Sequence, residues 1–237
     1  MNTNLFKSFA KINLALNVTG KLTKLHKIES IVKFVDLHDL ISIKRINRNK
    51  HNILFSGNFS KNISRNNTVK TLFDILDGEK LLDNKKFQIK IKKNIPQKAG
   101  LGGGSMNAAN ILNFLINKRI VKINQKKILK ITSLIGSDVI LGINPKSSVL
   151  TSNNLIKKFS ITPTFYTLLV RPNFGCSTKK IYSGLKKFTK PLFNNPKKNM
   201  FSLKFLLKQE NVLEKIAFLK YPKLKKLKRY LENLESP

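Results

Sequence analysis

At 237 residues, 41% of them hydrophobic, the chain is long enough for one large domain or two small ones and can bury a core, which excludes wholesale disorder. No apolar run approaches the roughly 18 residues of a membrane span, the N-terminal "MNTNLFKSFAKINLALNV" lacks the apolar stretch of a secretory leader, and the single cysteine, Cys176, excludes an internal disulfide. The formal net charge of +34 comes from lysines spread along the whole chain, with no RNP-type aromatic pattern, zinc finger or helix-turn-helix, so it reads as composition and argues against a nucleic-acid partner.

Residues 5–19 alternate as a strand, with Phe9 and 12–16 in its apolar part, and "TGKLTKLH" reads as a turn. Further strands are predicted at 28–35, 40–46 and 52–55. In "NNTVKTLFDILDGEKLL", Val69, Leu72, Phe73 and Leu76 recur at helical spacing behind Asn66 or Asn67 as N-cap. "KFQIKIKK" sets Phe87, Ile89 and Ile91 on one face and lysines on the other, as in a half-exposed strand. A glycine-rich loop and a helix over 105–117 follow, then a helix in "NQKKILKITSLIG" that ends at Gly136. "SSVLTS" and "FYTLLVRP" read as strands, "STKKIYSGLKKF" as a helix opening at Ser177 or Thr178. The tail from Phe201 reads as helix broken at Pro222, with Leu224, Leu227, Tyr230, Leu231 and Leu234 as its core face.

The most informative stretch is "IPQKAGLGGGSMNAANIL", residues 95–112, which places four of the chain's 11 glycines at 100–104. Strand, glycine run, small polar residue and helix together suit a phosphate ligand, because backbone N–H groups and the positive helix end can converge on it. No Lys–Ser/Thr pair follows the glycines, so this is not a P-loop. Nor does an acidic residue end a second strand about 20 positions on, as a dinucleotide fold requires. The glycines alone leave a structural turn and a ligand loop equally open. The spacing of Pro96, Gly100, Leu101, Gly102, Gly103, Gly104, Ser105, Ala108 and Ala109 is more specific.

With that spacing the sequence resembles the GHMP kinase superfamily, whose ATP loop has the form P-x-x-x-G-L-G-S/G-S/G-S-A/S. Within it the GGGS version, followed by x-x-A-A, looks most like the 4-diphosphocytidyl-2-C-methyl-D-erythritol kinases. Four other segments carry the same resemblance in the same order: "FAKINLALNVTGK" at 9–21, "LHKIESIVKFVDLHDLISI" at 25–43, "IGSDVIL" at 135–141 and "VRPNFGCSTKKIY" at 170–182.

The resemblance implies an α+β, two-domain GHMP kinase fold: a ribosomal protein S5 domain 2-like ATP-binding domain over 1–146 and a ferredoxin-like domain over 147–237. It implies transfer of the γ-phosphoryl group of ATP, with Mg²⁺, to the 2-hydroxyl of the methylerythritol part of the substrate, in the non-mevalonate route to isoprenoid precursors. Asp138 would accept the hydroxyl proton, and Lys11 would orient Asp138 and support the reacting groups. Pro96, Gln97, Lys98, Ala99, Gly100, Leu101, Gly102, Gly103, Gly104, Ser105 and Met106 would wrap the ATP phosphates, with Ser105 placed to reach Mg²⁺. Asn67 would lie near the adenine. Asn13, His26, Thr178 and Tyr182 would bind the second substrate, His26 and Tyr182 at its cytosine.

Lys11 also stands out on its own terms, since a charge inside an apolar strand needs a partner. Leu25 replaces the family's stacking tyrosine, which predicts weaker cytidine binding; Phe9, Met106 and Ile140 are further departures. Members of the family continue into a strand and an S-G-S/T-G-S/A loop that does not appear before Pro237, so the expectation is a fragment or an early-stopped form with an incomplete smaller domain. The expected partner is a small molecule, in the cytoplasm, with no membrane; a homodimer is compatible with the sequence. The rival readings are another GHMP kinase, of homoserine or mevalonate type, and a catalytically impaired, basic nucleic-acid-binding derivative of the fold.

Overall fold

The computed structural model describes residues 3–21 and 26–234, without the side chains of Thr178 and Lys179. Leu25 and the centre of the expected turn at 19–26 lie outside the described residues. The chain is α+β. Its contacts divide it into two compact units, one of Met1–Ile12, Phe34–Gln97 and Leu101–Lys146, the other of Asn13–Lys33, Lys98–Gly100 and Ser147–Pro237. The strands β1 (Asn4–Lys21) and β2 (His26–Ile46), which pair with each other, contribute residues to both.

In the first unit the later part of β2 pairs antiparallel with β4 (Lys86–Lys92), and β4 pairs in parallel with β3 (Asn52–Ser56). Ile41 faces Ile91 and Ile43 faces Ile89 in this register. Their side chains share one sheet face, because residues two apart point the same way. Three helices cover that face: α1 (Thr68–Gly78), α2 (Gly103–Asn117) and α3 (Gln125–Ile135). Val69, Leu72, Phe73 and Leu76 from α1 meet Ile111, Leu112 and Leu115 from α2 and Ile131 from α3 in one core. Full burial of each such side chain contributes ~1.5–3 kcal/mol relative to exposure.

In the second unit the early part of β2 pairs antiparallel with β5 (Ser147–Leu150), which pairs with β6 (Ile156–Phe159). Ala15, Ile31 and Val149 pack on Phe193, Met200 and Phe201. Among the described residues four α-helices follow, α4 (Thr178–Ser183), α5 (Leu203–Leu206), α6 (Glu214–Lys220) and α7 (Pro222–Glu232), with a 3-10 helix, Lys198–Phe201, before α5.

Several expectations change. The two strands at 28–35 and 40–46 are one, because Phe34–Leu40 remains extended with no turn residue to interrupt it. The helix expected at 105 begins at Gly103, and β6 had no expectation at all. "FYTLLVRP" is not a strand. Residues 161–177 carry no regular element, and among the described residues no strand pairs with them, so their β propensity goes unmatched by a hydrogen-bonding neighbour. The tail is broken before Glu214 as well as at Pro222, and no residue of α7 is buried. Its apolar stripe is therefore not a core face; Tyr230 is 64% exposed. No helix among the described residues is long and apolar enough to cross a membrane.

Candidate active site

The glycine loop enters from β4 and opens α2, and its geometry explains the glycines one by one. Gly102, the N-cap of α2, has φ +68°, in the left-handed region that favours glycine. A Cβ there would lie 2.9 Å from Lys11 Cγ, and one on Gly103 would lie 2.9 Å from Ile95 Cγ2 and 3.3 Å from Lys93 Nζ. Gly100 also has positive φ, +75°, but open space around its Cβ position. Side chains are thus excluded at 102 and 103 by what lies beneath, and at 100 by backbone conformation alone.

The start of α2 is bare. Asn67 caps α1 and Asn124 caps α3 through their side-chain oxygens, whereas Gly102 has no side chain with which to cap α2. The first amides of a helix have no intrahelical partner. Gly103, Gly104 and Ser105 therefore present N–H groups at the positive end of the helix, a cradle suited to an anion. The Leu101 carbonyl accepts from the Lys11 amide at 3.0 Å, and the Gly104 carbonyl accepts from the Thr68 hydroxyl at 2.7 Å. At the entry, the Gln97 amide donates to the carbonyls of Phe59 and Lys61 at 2.9 and 2.7 Å. Met106 is buried, with its sulfur under Gly142.

Lys11 and Asp138 meet at this turn. Lys11 Nζ is 3.1 Å from Asp138 Oδ2, the lysine side chain 7% exposed and the aspartate 31%. Asp138 precedes a short 3-10 helix, Val139–Gly142, but its side chain makes no capping hydrogen bond there. Its carboxylate is thus held by a buried ammonium and still reaches solvent.

Asn67 makes local hydrogen bonds at the start of α1. Its Oδ1 accepts from the Val69 and Lys70 amides and its Nδ2 donates to the Ser64 and Arg65 carbonyls, so its side chain organises the start of α1. In the second unit, Asn13 Nδ2 donates to Ser30 Oγ at 2.7 Å, and Ser30 Oγ donates on to the Ala15 carbonyl. His26, at the start of β2, lies beside Tyr182 of α4, with ring centroids 5.0 Å apart. Lys98 lies against Gly175, whose Cβ position is 3.6 Å from Lys98 Cβ. Thr178 opens α4, and its side chain lies outside the described residues.

Three groups escaped the sequence reading. Asp39 is fully buried and accepts from the Asn94 and Ile95 amides at 2.8 Å each, from Asn107 Nδ2 at 2.8 Å, and from Lys93 Nζ. The signal was available, since the alternation that buries Ile89 and Ile91 puts Lys93 on the same face. Phe188 was missed too, its ring centroid 6.5 Å from that of His26; nothing in "KKFTKPL" marks it.

Residues 67–145 match the GHMP kinases N terminal domain. The chain is 57% identical over 234 residues to a protein of Pelagibacter ubique named 4-diphosphocytidyl-2-C-methyl-D-erythritol kinase, covering 99% of this chain and 83% of that protein. A protein of the same name from Petrotoga mobilis is 33% identical, covering 97% of this chain and 91% of its own length. A crystal structure of 4-(cytidine 5'-diphospho)-2C-methyl-D-erythritol kinase superposes with a TM-score of 0.70 at 20% identity, over 94% of this chain and 81% of that one, so the fold is shared. A homoserine kinase structure from Cytophaga hutchinsonii matches at a TM-score of 0.52 and 13% identity, over 80% of this chain and 62% of that one. Beside the glycine loop and the Lys11–Asp138 pair, these identities show that the chain belongs to the GHMP kinases, in their 4-diphosphocytidyl-2-C-methyl-D-erythritol kinase family.

Proposed function

We propose that the protein transfers the γ-phosphoryl group of ATP to the 2-hydroxyl of 4-diphosphocytidyl-2-C-methyl-D-erythritol, a step toward isoprenoid precursors. The observation that carries the reading is the Lys11–Asp138 pair packed against Gly102, the N-cap of the uncapped helix α2. In this reaction the hydroxyl oxygen bonds to the γ-phosphorus while the bond to the β-phosphate bridging oxygen breaks, releasing ADP. Asp138 takes the hydroxyl proton, and Lys11 holds that carboxylate in place and adds positive charge beside the phosphoryl oxygens. The amides of Gly103, Gly104 and Ser105 hold the phosphates.

Among the described residues no three His, Cys, Asp or Glu side chains gather as a metal cage. The donor set at the turn, one serine hydroxyl and one carboxylate, fits a hard cation carried in largely on phosphate oxygens and water. Bound there, Mg²⁺ would neutralise phosphate charge, and Ser105 is the residue that would reach it. In the second unit, His26 and Tyr182 are assigned to the cytosine and Asn13 and Thr178 to the rest of that substrate. A cytoplasmic enzyme accords with ATP as donor.

The test is an ADP-release assay on the purified protein with ATP and Mg²⁺, offered the cytidine substrate, homoserine or mevalonate in parallel. Turnover is expected with the first alone. Equal or faster turnover with homoserine or mevalonate would overturn the substrate assignment.

A further inference from the structure

The carbon stem of one lysine and the ammonium of another are packed against the first turn of α2. Lys11 lies under Gly102, and Lys93 lies under Gly103, 3.3 Å from where its Cβ would be. Lys93 is 4% exposed and pairs with Asp39, which is fully buried. Cations are disfavoured at a helix N-terminus, because the first amides already concentrate positive charge there. A buried ion pair also contributes little stability relative to well-packed apolar side chains. Stability of the free protein therefore does not account for Lys93 at this place; an anion bound on the turn does.

The rest of the Asp39 network supports the same conclusion. One carboxylate ties together the end of β4 through Lys93, the entry of the loop through the Asn94 and Ile95 amides, and α2 through Asn107. These elements set the position of residues 102–104. Ile95, fixed by its own amide, supplies the apolar part of the floor beneath Gly103.

We propose that Asp39 and Lys93 are positioning residues for phosphoryl transfer: Lys93 supplies a second cation beneath the anion-binding turn, and Asp39 fixes both Lys93 and the loop entry. They act on the triphosphate of the nucleotide and not on the acceptor alcohol. The proposal rests on the reading of 100–105 as the ATP phosphate loop.

The test compares wild type with Lys93→Met and with the double variant Asp39→Asn/Lys93→Met, which removes both charges and so strands neither. Each is assayed for KM of ATP, KM of the cytidine substrate, and melting temperature with and without a non-hydrolysable ATP analogue. Both variants are expected to raise KM for ATP by about tenfold or more, about 1.4 kcal/mol or more, and to leave KM for the alcohol within about twofold. The double variant is expected to melt close to wild type without nucleotide while losing most of the analogue-dependent gain. Michaelis constants are read on the folded fraction, so partial unfolding of Lys93→Met does not imitate the effect. A double variant with wild-type KM for ATP and a wild-type analogue shift would overturn the positioning role while leaving the phosphate-loop reading intact. A wild-type protein that neither binds the analogue nor turns ATP over would overturn both.

Discussion

Gly102 and Lys11 form one device: the glycine's missing side chain is the space that the lysine stem occupies, 2.9 Å from Cγ to the absent Cβ. The lysine then reaches Asp138 at 3.1 Å. A loop glycine is thereby coupled to Asp138, the proton acceptor of the proposed reaction, through a single side chain.

This coupling separates two glycines that look alike in sequence. Gly102→Ala is expected to displace Lys11 and lower kcat by about 100-fold or more, comparable to losing a general base. Gly100→Ala meets no neighbour and pays only the backbone cost of positive φ, about 1–2 kcal/mol. Steady-state kinetics and melting curves on both variants check the contrast: loss of stability in both, with the fall of kcat much the larger in Gly102→Ala and any effect of Gly100→Ala falling on KM for ATP.

Asp138→Asn keeps the shape of the site and removes the proposed proton acceptor. The expected outcome is a fall in kcat of about 10²- to 10⁴-fold, with ATP affinity by isothermal titration near wild type. Ordinary turnover by this variant would show that the proton leaves by another route.

The aromatic group of the second unit should act on the other substrate. Removing a stacking ring from a base costs ~1–3 kcal/mol. Tyr182→Leu is therefore expected to raise KM for the cytidine substrate by roughly 5- to 150-fold while leaving KM for ATP alone. Phe188→Leu, beside the same histidine, tests whether a residue outside the family motif shares the task; a smaller rise in the same constant is expected.

His51 gives the fold a pH dependence of its own. Burial pushes its imidazole below the usual histidine range, and Asp77, 3.2 Å away, opposes that, with Lys86 acting in the same direction as burial. The unfolded chain therefore takes up this proton first as pH falls. Stability from His51 is complete above the unfolded value of 6.5 and declines as pH drops through it toward the lower folded value. Melting temperatures measured from about pH 7.5 to about pH 5 should fall in wild type and fall less in His51→Gln.

The chemistry was legible in the sequence where it was local. Asn67 as a cap, the end of α3 at Gly136 and the alternation of 87–91 depend on neighbours within a few residues, and all appear as read. Lys11 and Asp138 could be paired only through the family resemblance, since 127 positions of chain separate them and no local pattern states that they meet. Asp39 and Lys93 lay hidden for a different reason. Among 46 basic residues one lysine carries no signal of its own, and only the strand period marks it as inward-facing. In the second unit the sequence misjudged order beyond Ile161, because β propensity was taken as pairing and a pairing partner is a long-range fact.

That stretch bears on how the protein must be handled. From Ile161 to Val170 the chain carries no charged residue, and Ile161, Tyr166, Leu168, Leu169 and Val170 are exposed. Its composition is that of an aggregation-prone window, interrupted by Pro163 and bracketed by Lys157, Lys158 and Arg171. The net charge of +34 keeps copies apart by mutual repulsion, and that repulsion is screened within about 10 Å at 0.1 M salt. The lysine excess, silent about partners, thus acts as a colloidal stabiliser, and light scattering should show self-association growing as salt is added.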